Sequence, residues 1–240
     1  MLIWTGDARF MRANQMTYSF IDDAARKTRP AGEGRGLYRR YGKRVLDIAL
    51  VMASLPFVLP VIFLAWAAMV RSGRPGFYRQ PRVGRGGNQF TCWKIRTMAP
   101  DADRILAEHL RSDPKIAEEW EKTQKLKDDP RITRTGRLLR RTSIDELPQL
   151  WNVLRGEMSL IGPRPFTPAQ KALYDEVASK RSYYALRPGL TGLWQVESRN
   201  QGEFKDRVAY DEAYGERLSF VEDMRIVLRT VSVVLRATGQ

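Results

Sequence analysis

The stretch Val45-Leu-Asp-Ile-Ala-Leu-Val-Met-Ala-Ser-Leu-Pro-Phe-Val-Leu-Pro-Val-Ile-Phe-Leu-Ala-Trp-Ala-Ala-Met-Val70 decides the architecture, because it is apolar throughout except at Asp47 and Ser54. As a straight helix it would measure about 39 Å, more than the ~30 Å hydrocarbon core of a bilayer. Buried in a soluble core, a helix of this length would need a larger protein to cover it. Two prolines interrupt the run. Pro56 removes the amide that would bond the Met52 carbonyl, and Pro60 does the same to the Pro56 carbonyl. Facing lipid, such carbonyls are costly; the Ser54 hydroxyl, a neighbouring element or water are the candidates to satisfy them.

The flanks set the expected topology. Arg39, Arg40, Lys43 and Arg44 precede the segment, and Arg71, Arg74, Arg79, Arg82 and Arg85 follow it. Clustered positive residues mark cytoplasmic flanks, and here both ends qualify. A helix broken near Ser54 and Pro56, dipping in and returning on the same side, satisfies both. Its arms of about 16 and 21 Å reach roughly mid-bilayer. A single kinked span is the competing topology.

Working outward, Thr28-Arg-Pro-Ala-Gly-Glu-Gly-Arg-Gly36 reads as a linker, so residues 1–37 are expected to be a flexible tail. After the apolar run, Phe77–Gln80 and Gln89–Lys94 have strand content, and Gly84-Arg-Gly-Gly-Asn88 makes the turn between them. Residues 101–127 are charged and helical, divided into two helices by the cap pair Asp113-Pro114. A third helix starts at Thr167-Pro168. Near the end, Phe220, Val221, Met224, Val227, Leu228, Val231, Val234 and Leu235 recur at helical spacing. They describe either a core-facing helix or one lying in the bilayer interface. The expected fold is therefore mainly α with a short β-hairpin: a tail (1–37), a re-entrant membrane helix (38–75), and interfacial helices with a small cytoplasmic catalytic domain (76–240).

The chain of 240 residues carries a formal charge of +14, which favours anionic partners: nucleic acid, lipid headgroups or phosphorylated substrates. With one cysteine, Cys92, and one histidine, His109, it can form no internal disulfide and no Cys/His zinc cluster. Any metal is expected to be a hard cation held by carboxylates and phosphate oxygens.

The densest chemistry lies between Arg131 and Arg164. Arg131, Arg134, Arg137, Arg140 and Arg141 recur at spacings that let most share a helical face. Ser143-Ile-Asp-Glu-Leu-Pro148 follows. Guanidiniums beside paired carboxylates suit a phosphorylated substrate. Ser143-x-x-Glu146 also matches a capping box. Against that reading, Pro148 would fall at the fifth helical position and delete a hydrogen bond. Gly162-Pro-Arg-Pro165 is a stiff turn holding Arg164, or else plain helix punctuation.

Seven motifs in order resemble one family, the monotopic bacterial phosphoglycosyl transferases that load sugar phosphates onto polyprenyl phosphate. They are Lys43-Arg-Val-Leu-Asp47, Lys94-Ile-Arg-Thr-Met98, Asp129-Pro-Arg-Ile-Thr133, Ser143-Ile-Asp-Glu-Leu-Pro-Gln149, Met158-Ser-Leu-Ile-Gly-Pro-Arg-Pro165, Arg187-Pro-Gly-Leu-Thr-Gly-Leu-Trp-Gln195 and Asp211-Glu-Ala-Tyr214. The resemblance implies that Asp145 is the nucleophile, attacking the sugar-bearing phosphorus of a UDP-sugar and expelling UMP. It implies that Glu146 helps hold Mg²⁺, for which Mn²⁺ can substitute. Arg140 and Arg164 match the family's phosphate-binding arginines and Lys94 its basic position; Arg96, Arg137, Asp211 and Tyr214 complete the expected substrate-binding set.

The expected acceptor is undecaprenyl phosphate, and the expected place is the bacterial inner membrane, with catalysis on the cytoplasmic side as the first membrane step of exopolysaccharide synthesis. Galactose-1-phosphate is the expected cargo. No nucleic-acid partner is expected, and oligomeric state is not legible. The rival readings are a basic nucleic-acid-binding protein and a membrane-anchored interaction domain without catalysis. The lipid-length apolar run counts against the first, and the Asp145-Glu146 pair against the second.

Overall fold

The computed structural model describes residues 34–71, 75–178, 182–198 and 203–235. Most of the expected tail, and Arg74 of the basic flank, lie outside these residues. A π-helical turn, Tyr38–Gly42, leads into helix α1, Lys43–Arg71, which continues through Pro56 and Pro60. The Ser54 hydroxyl donates to the Val51 carbonyl at 2.8 Å. It therefore does not serve the Met52 carbonyl that Pro56 leaves without its helical donor.

Next come β1 (Phe77–Val83) and β2 (Gln89–Ile95), an antiparallel hairpin with Tyr78 opposite Lys94 and Gln80 opposite Cys92. Its turn uses two positive-φ glycines, Gly86 and Gly87, a backbone region closed to most other residues. Helices α2 (Ala102–Ser112) and α3 (Pro114–Thr123) meet where sequence places the cap: the Asp113 carboxylate accepts from the Lys115 amide at 2.8 Å. Helix α4 (Arg134–Arg141) is capped by Thr133, whose hydroxyl accepts from the Gly136 amide at 2.9 Å.

A 3₁₀ turn, Ile144–Glu146, and helix α5 (Gln149–Arg155) follow, the latter stopped by Gly156 at φ 80°. Then come β3 (Ser159–Ile161), a 3₁₀ turn with the Thr167/Gln170 capping box, and α6 (Lys171–Asp175). Helix α7 (Ser182–Ala185), β4 (Gly189–Thr191), α8 (Leu193–Glu197), α9 (Arg207–Arg217) and α10 (Phe220–Leu235) complete the chain. The described fold is mostly helical, as expected. The parallel β3–β4 pair is an addition that the sequence reading lacks.

Both ends of α1 rest on this same domain. Near its start, Val51 joins Leu150, Val153 and Met158, with Leu55 and Val58 alongside. Near its end, Ala65 and Met69 join Ile95 and Leu139. Between and around these contacts Met52, Phe57, Leu59, Phe63 and Leu64 stay exposed, an apolar surface too large to leave in water without a partner.

The first turns of α1 are tied down by polar bonds. Buried Asp47 accepts from the Leu160 amide at 3.0 Å, and Lys43 reaches Asp223 at 2.7 Å. Tyr38 and Tyr214 also donate to Asp223, at 2.6 and 2.7 Å. Arg44 donates to the Val153 and Leu154 carbonyls at 2.6 and 2.9 Å, joining the Gly156 amide on the first of these at the end of α5. Helix α10 buries Asp223 and Ile226 but exposes Phe220, Val221, Leu228 and Val231. One face of it is core, as the core-facing reading has it, and another is apolar and uncovered.

Candidate active site

The site grows from a reversal of the chain. Ser143 takes φ 57°, rare for a residue with a side chain, and turns the chain out of α4 into the Ile144–Glu146 turn. Ser143 makes no capping bond to that turn, and Glu146 points instead at two cations, so the capping-box reading fails. Pro148 occupies the N-cap of α5, where a missing amide costs nothing.

Lys94 Nζ lies 2.6 Å from Glu146 Oε1. Arg164 donates to both carboxylate oxygens, Nη2 to Oε1 at 2.8 Å and Nη1 to Oε2 at 3.3 Å. Burial alone would raise the Glu146 carboxyl, but Arg164 and Lys94 outweigh it and hold the group well below the usual range. Asp145, 5% exposed, behaves oppositely. Burial, against the pull of Lys94, pushes its carboxyl up to about 6, with the Glu146 charge adding to the rise. Adjacent carboxyls driven apart in this way are a recurring mark of two carboxylates with different tasks.

Arg140 is held by the hydrogen bond from its Nε to Thr97 Oγ1 at 2.9 Å; burial lowers its basicity, and Asp145 is the strongest influence favouring its charge. The approach of Thr97 to α4 depends on Gly136: a Cβ there would sit 2.1 Å from the Thr97 carbonyl oxygen. That glycine brings Lys94-Ile-Arg-Thr-Met98 against the arginine helix.

Arg164 is positioned from behind. Arg207 donates to its backbone carbonyl, and the Arg207 guanidinium lies among the rings of Phe166, Tyr174, Trp194 and Phe204 at 5.0 to 5.9 Å. Asp211 stands 3.9 Å from Arg207 and accepts from Tyr174 at 3.0 Å; its burial pushes it up to about 7.

The structure thus brings Lys94, Glu146 and Arg164 together, with Asp145 adjacent in sequence and Arg140 under its influence. Asp211 lies in the layer behind Arg164. Tyr214 is a core residue bonded to Asp223. Arg96 lies over the Tyr78 ring at 5.2 Å, and Arg137 is exposed on α4. None of these four lines the small pocket at the site, whose walls are Arg82, Cys92, Lys94, Glu146, Gln149, Arg164 and Pro165. Arg131 leaves the expected arginine row: it precedes α4 and is paired with Asp129 at 2.7 Å. Arg82, Cys92 and Gln149 are wall residues that the sequence reading did not assign. Strand alternation carried the signal for two of them, since Arg82 and Cys92 fall on the hairpin face that presents Lys94.

Among the described residues no group of three or more metal-ligating side chains occurs. Of the adjacent carboxyls Glu146 is the one kept ionised, the kind of group that holds Mg²⁺ together with substrate phosphates and water; here both its oxygens are engaged by Lys94 and Arg164.

Comparison with known proteins places the chain in a family. The model of the bacterial sugar transferase family matches residues 38–237. The undecaprenyl-phosphate galactose phosphotransferase of Salmonella typhimurium is 44% identical over 202 residues, covering 83% of this chain and 42% of that protein. The exopolysaccharide production protein ExoY of Sinorhizobium fredii is 43% identical over 199 residues, covering 82% and 87%. The UDP-glucose:undecaprenyl-phosphate glucose-1-phosphate transferase of Caulobacter vibrioides is 41% identical over 201 residues, covering 80% and 69%. Against several of its curated relatives the chain spans only about two fifths of their length, 42–43%. With the family model running from the turn before α1 to beyond the described end of α10, the chain belongs to the bacterial sugar transferase family.

Proposed function

We propose that this chain transfers a sugar-1-phosphate from a UDP-sugar to undecaprenyl phosphate, releasing UMP, as the first membrane step of exopolysaccharide synthesis. The observation that carries this is the Asp145-Glu146 pair. One carboxyl is desolvated and poised near neutrality, and the other is fixed as an anion between Lys94 and Arg164. The names of the relatives support the class of donor and acceptor.

In the first displacement an Asp145 carboxylate oxygen attacks the sugar-bearing phosphorus. A carboxyl–phosphorus bond forms, the bond to the bridging anhydride oxygen breaks, and UMP leaves with that electron pair. In the second, a phosphate oxygen of the lipid attacks the same phosphorus and the Asp145 carboxylate departs unchanged. Splitting the transfer lets a water-soluble donor and a lipid acceptor use one site in turn. Arg140 and Arg164 bind the anionic oxygens, and Lys94 supports the charge of Glu146 until the donor arrives. Glu146, with the donor's phosphates, would hold Mg²⁺ or Mn²⁺, which supplies charge neutralisation on the pyrophosphate.

Galactose-1-phosphate is the cargo proposed, with glucose-1-phosphate the rival that the Caulobacter relative's name raises. UMP release from a panel of UDP-sugars, with undecaprenyl phosphate present, tests the proposal. Silence with every donor refutes it.

The membrane segment is proposed to be re-entrant, in the bacterial inner membrane, with the domain on the cytoplasmic face. Contact of both ends of α1 with one domain supports this, because a straight span would put those ends on opposite sides of the bilayer.

A further inference from the structure

Arg82 reads in the sequence as one more positive residue flanking a membrane segment. Its position in the fold is different. It sits near the end of β1 in the wall of the small pocket beside the candidate site, facing the same space as Lys94, Glu146 and Arg164. Nη1 donates to the Pro165 carbonyl at 3.2 Å and Nη2 to Gln80 Oε1 at 2.6 Å. Its Nε is sealed from solvent and has no hydrogen-bond partner. Leaving a charged group's donor buried and unmet is costly, so such groups call for an explanation.

The charges around it point the same way. The pocket wall carries three cations, Arg82, Lys94 and Arg164, against one carboxylate, Glu146. Lys94 and Arg164 are already engaged with that carboxylate. Arg82 hydrogen-bonds neutral acceptors alone, so it is the cation of the wall that has no carboxylate in direct contact. A guanidinium with a spare donor suits a phosphate oxygen better than any neutral group.

Resting on the proposed transfer reaction, we infer that Arg82 is a phosphate-binding residue of this pocket, contacting an anionic oxygen of the donor pyrophosphate or of the acceptor phosphate. The bond from Nη1 to Pro165 sets its reach and links it to the turn that carries Arg164. That link also supplies the competing account, in which Arg82 only props the turn.

The experiment measures equilibrium binding to the full chain in detergent, with four probes: UDP, uridine, a polyprenyl phosphate and the matching polyprenol. Arg82→Gln should weaken one phosphate ligand about 10- to 100-fold while its neutral counterpart stays within about twofold, the range for a hydrogen bond to a charged group. Loss for UDP assigns Arg82 to the donor, and loss for the polyprenyl phosphate assigns it to the acceptor. The same loss should persist in an Arg164→Ala background. Unchanged affinity for both phosphate ligands overturns the inference, as does a loss that disappears once Arg164 is gone. Arg82→Lys keeps the charge with fewer donors and should lose less than the glutamine variant; it serves if Arg82→Gln does not fold. UMP release by the unsubstituted chain tests the transfer reading separately, so the two can fail independently.

Discussion

Replacing the proposed nucleophile should make the protein more stable while it abolishes turnover. Burial holds the Asp145 carboxyl near 6 in the fold, against 3.8 as its ordinary value. The folded state therefore keeps a proton between those values that the unfolded chain has released. Stability contributed by the protonated form is present at low pH and is lost as pH rises through about 6. Above that, the ionised carboxylate costs about 3 kcal/mol, at ~1.36 kcal/mol per pH unit of displacement. Sharing of charge with Glu146 reduces what one substitution recovers, to about 1–3 kcal/mol.

Asp145→Asn imitates the protonated form and does not titrate. At ~3 °C per kcal/mol for a chain of this size, its apparent unfolding midpoint in detergent should rise about 3–9 °C at pH 7.5. The gain should shrink to about a third at pH 4.5, where the parent protein carries much of its own proton. Thermal scans of both proteins at the two pH values, beside UMP release from donor alone, make the measurement. A variant no more stable at pH 7.5, or a gain independent of pH, would refute the account of a desolvated, strained carboxylate. Loss of UMP release alone could not rescue it.

With donor alone, brief exposure should add one sugar-phosphate mass that maps to Asp145, and initial rates should follow a ping-pong pattern; an adduct elsewhere sinks the assignment. Donor-only UMP release should fall about tenfold between pH 7 and pH 5 as Asp145 takes up its proton, and a flat profile over that range contradicts it. Glu146→Gln should slow both half-reactions by about 10²-fold or more and weaken metal dependence, whereas full wild-type activity in excess EDTA would exclude a magnesium role. Cysteines at positions 40 and 71 should label from the same side of the membrane, Cys92 itself being buried; opposite-side labelling ends the re-entrant topology.

Where the physics is local, the sequence was legible. Asp113-Pro114 and Thr167-Pro168 mark helix starts because the cap and its first turn lie within three residues. The hairpin turn is written in Gly86 and Gly87. The parallel pairing of Ser159–Ile161 with Gly189–Thr191 was not legible, since three-residue strands about 30 positions apart carry too little periodicity. Composition places Arg82 as a flanking charge, and the fold turns it into the pocket wall. Tyr214 and Asp211, expected from the resemblance as substrate contacts, are buried, one bonded to Asp223 and the other beside Arg207. Charge is visible in a sequence; what faces the charge is a tertiary fact.

The polar foot of α1 also sets an order of events during synthesis. Asp47 waits for a partner 113 residues later, and Lys43 for one 180 residues later. At ~5–20 residues per second, those intervals are roughly 6–23 and 9–36 seconds. By then the apolar run behind them, entering lipid as proposed, has long left the ribosome. Lys43 and Asp47 must spend that interval hydrated among the headgroups, which holds the start of the segment at the surface while its middle goes under. The domain then closes onto a helix already seated in the bilayer, so release of the finished chain into water before insertion is the route on which α1 would aggregate.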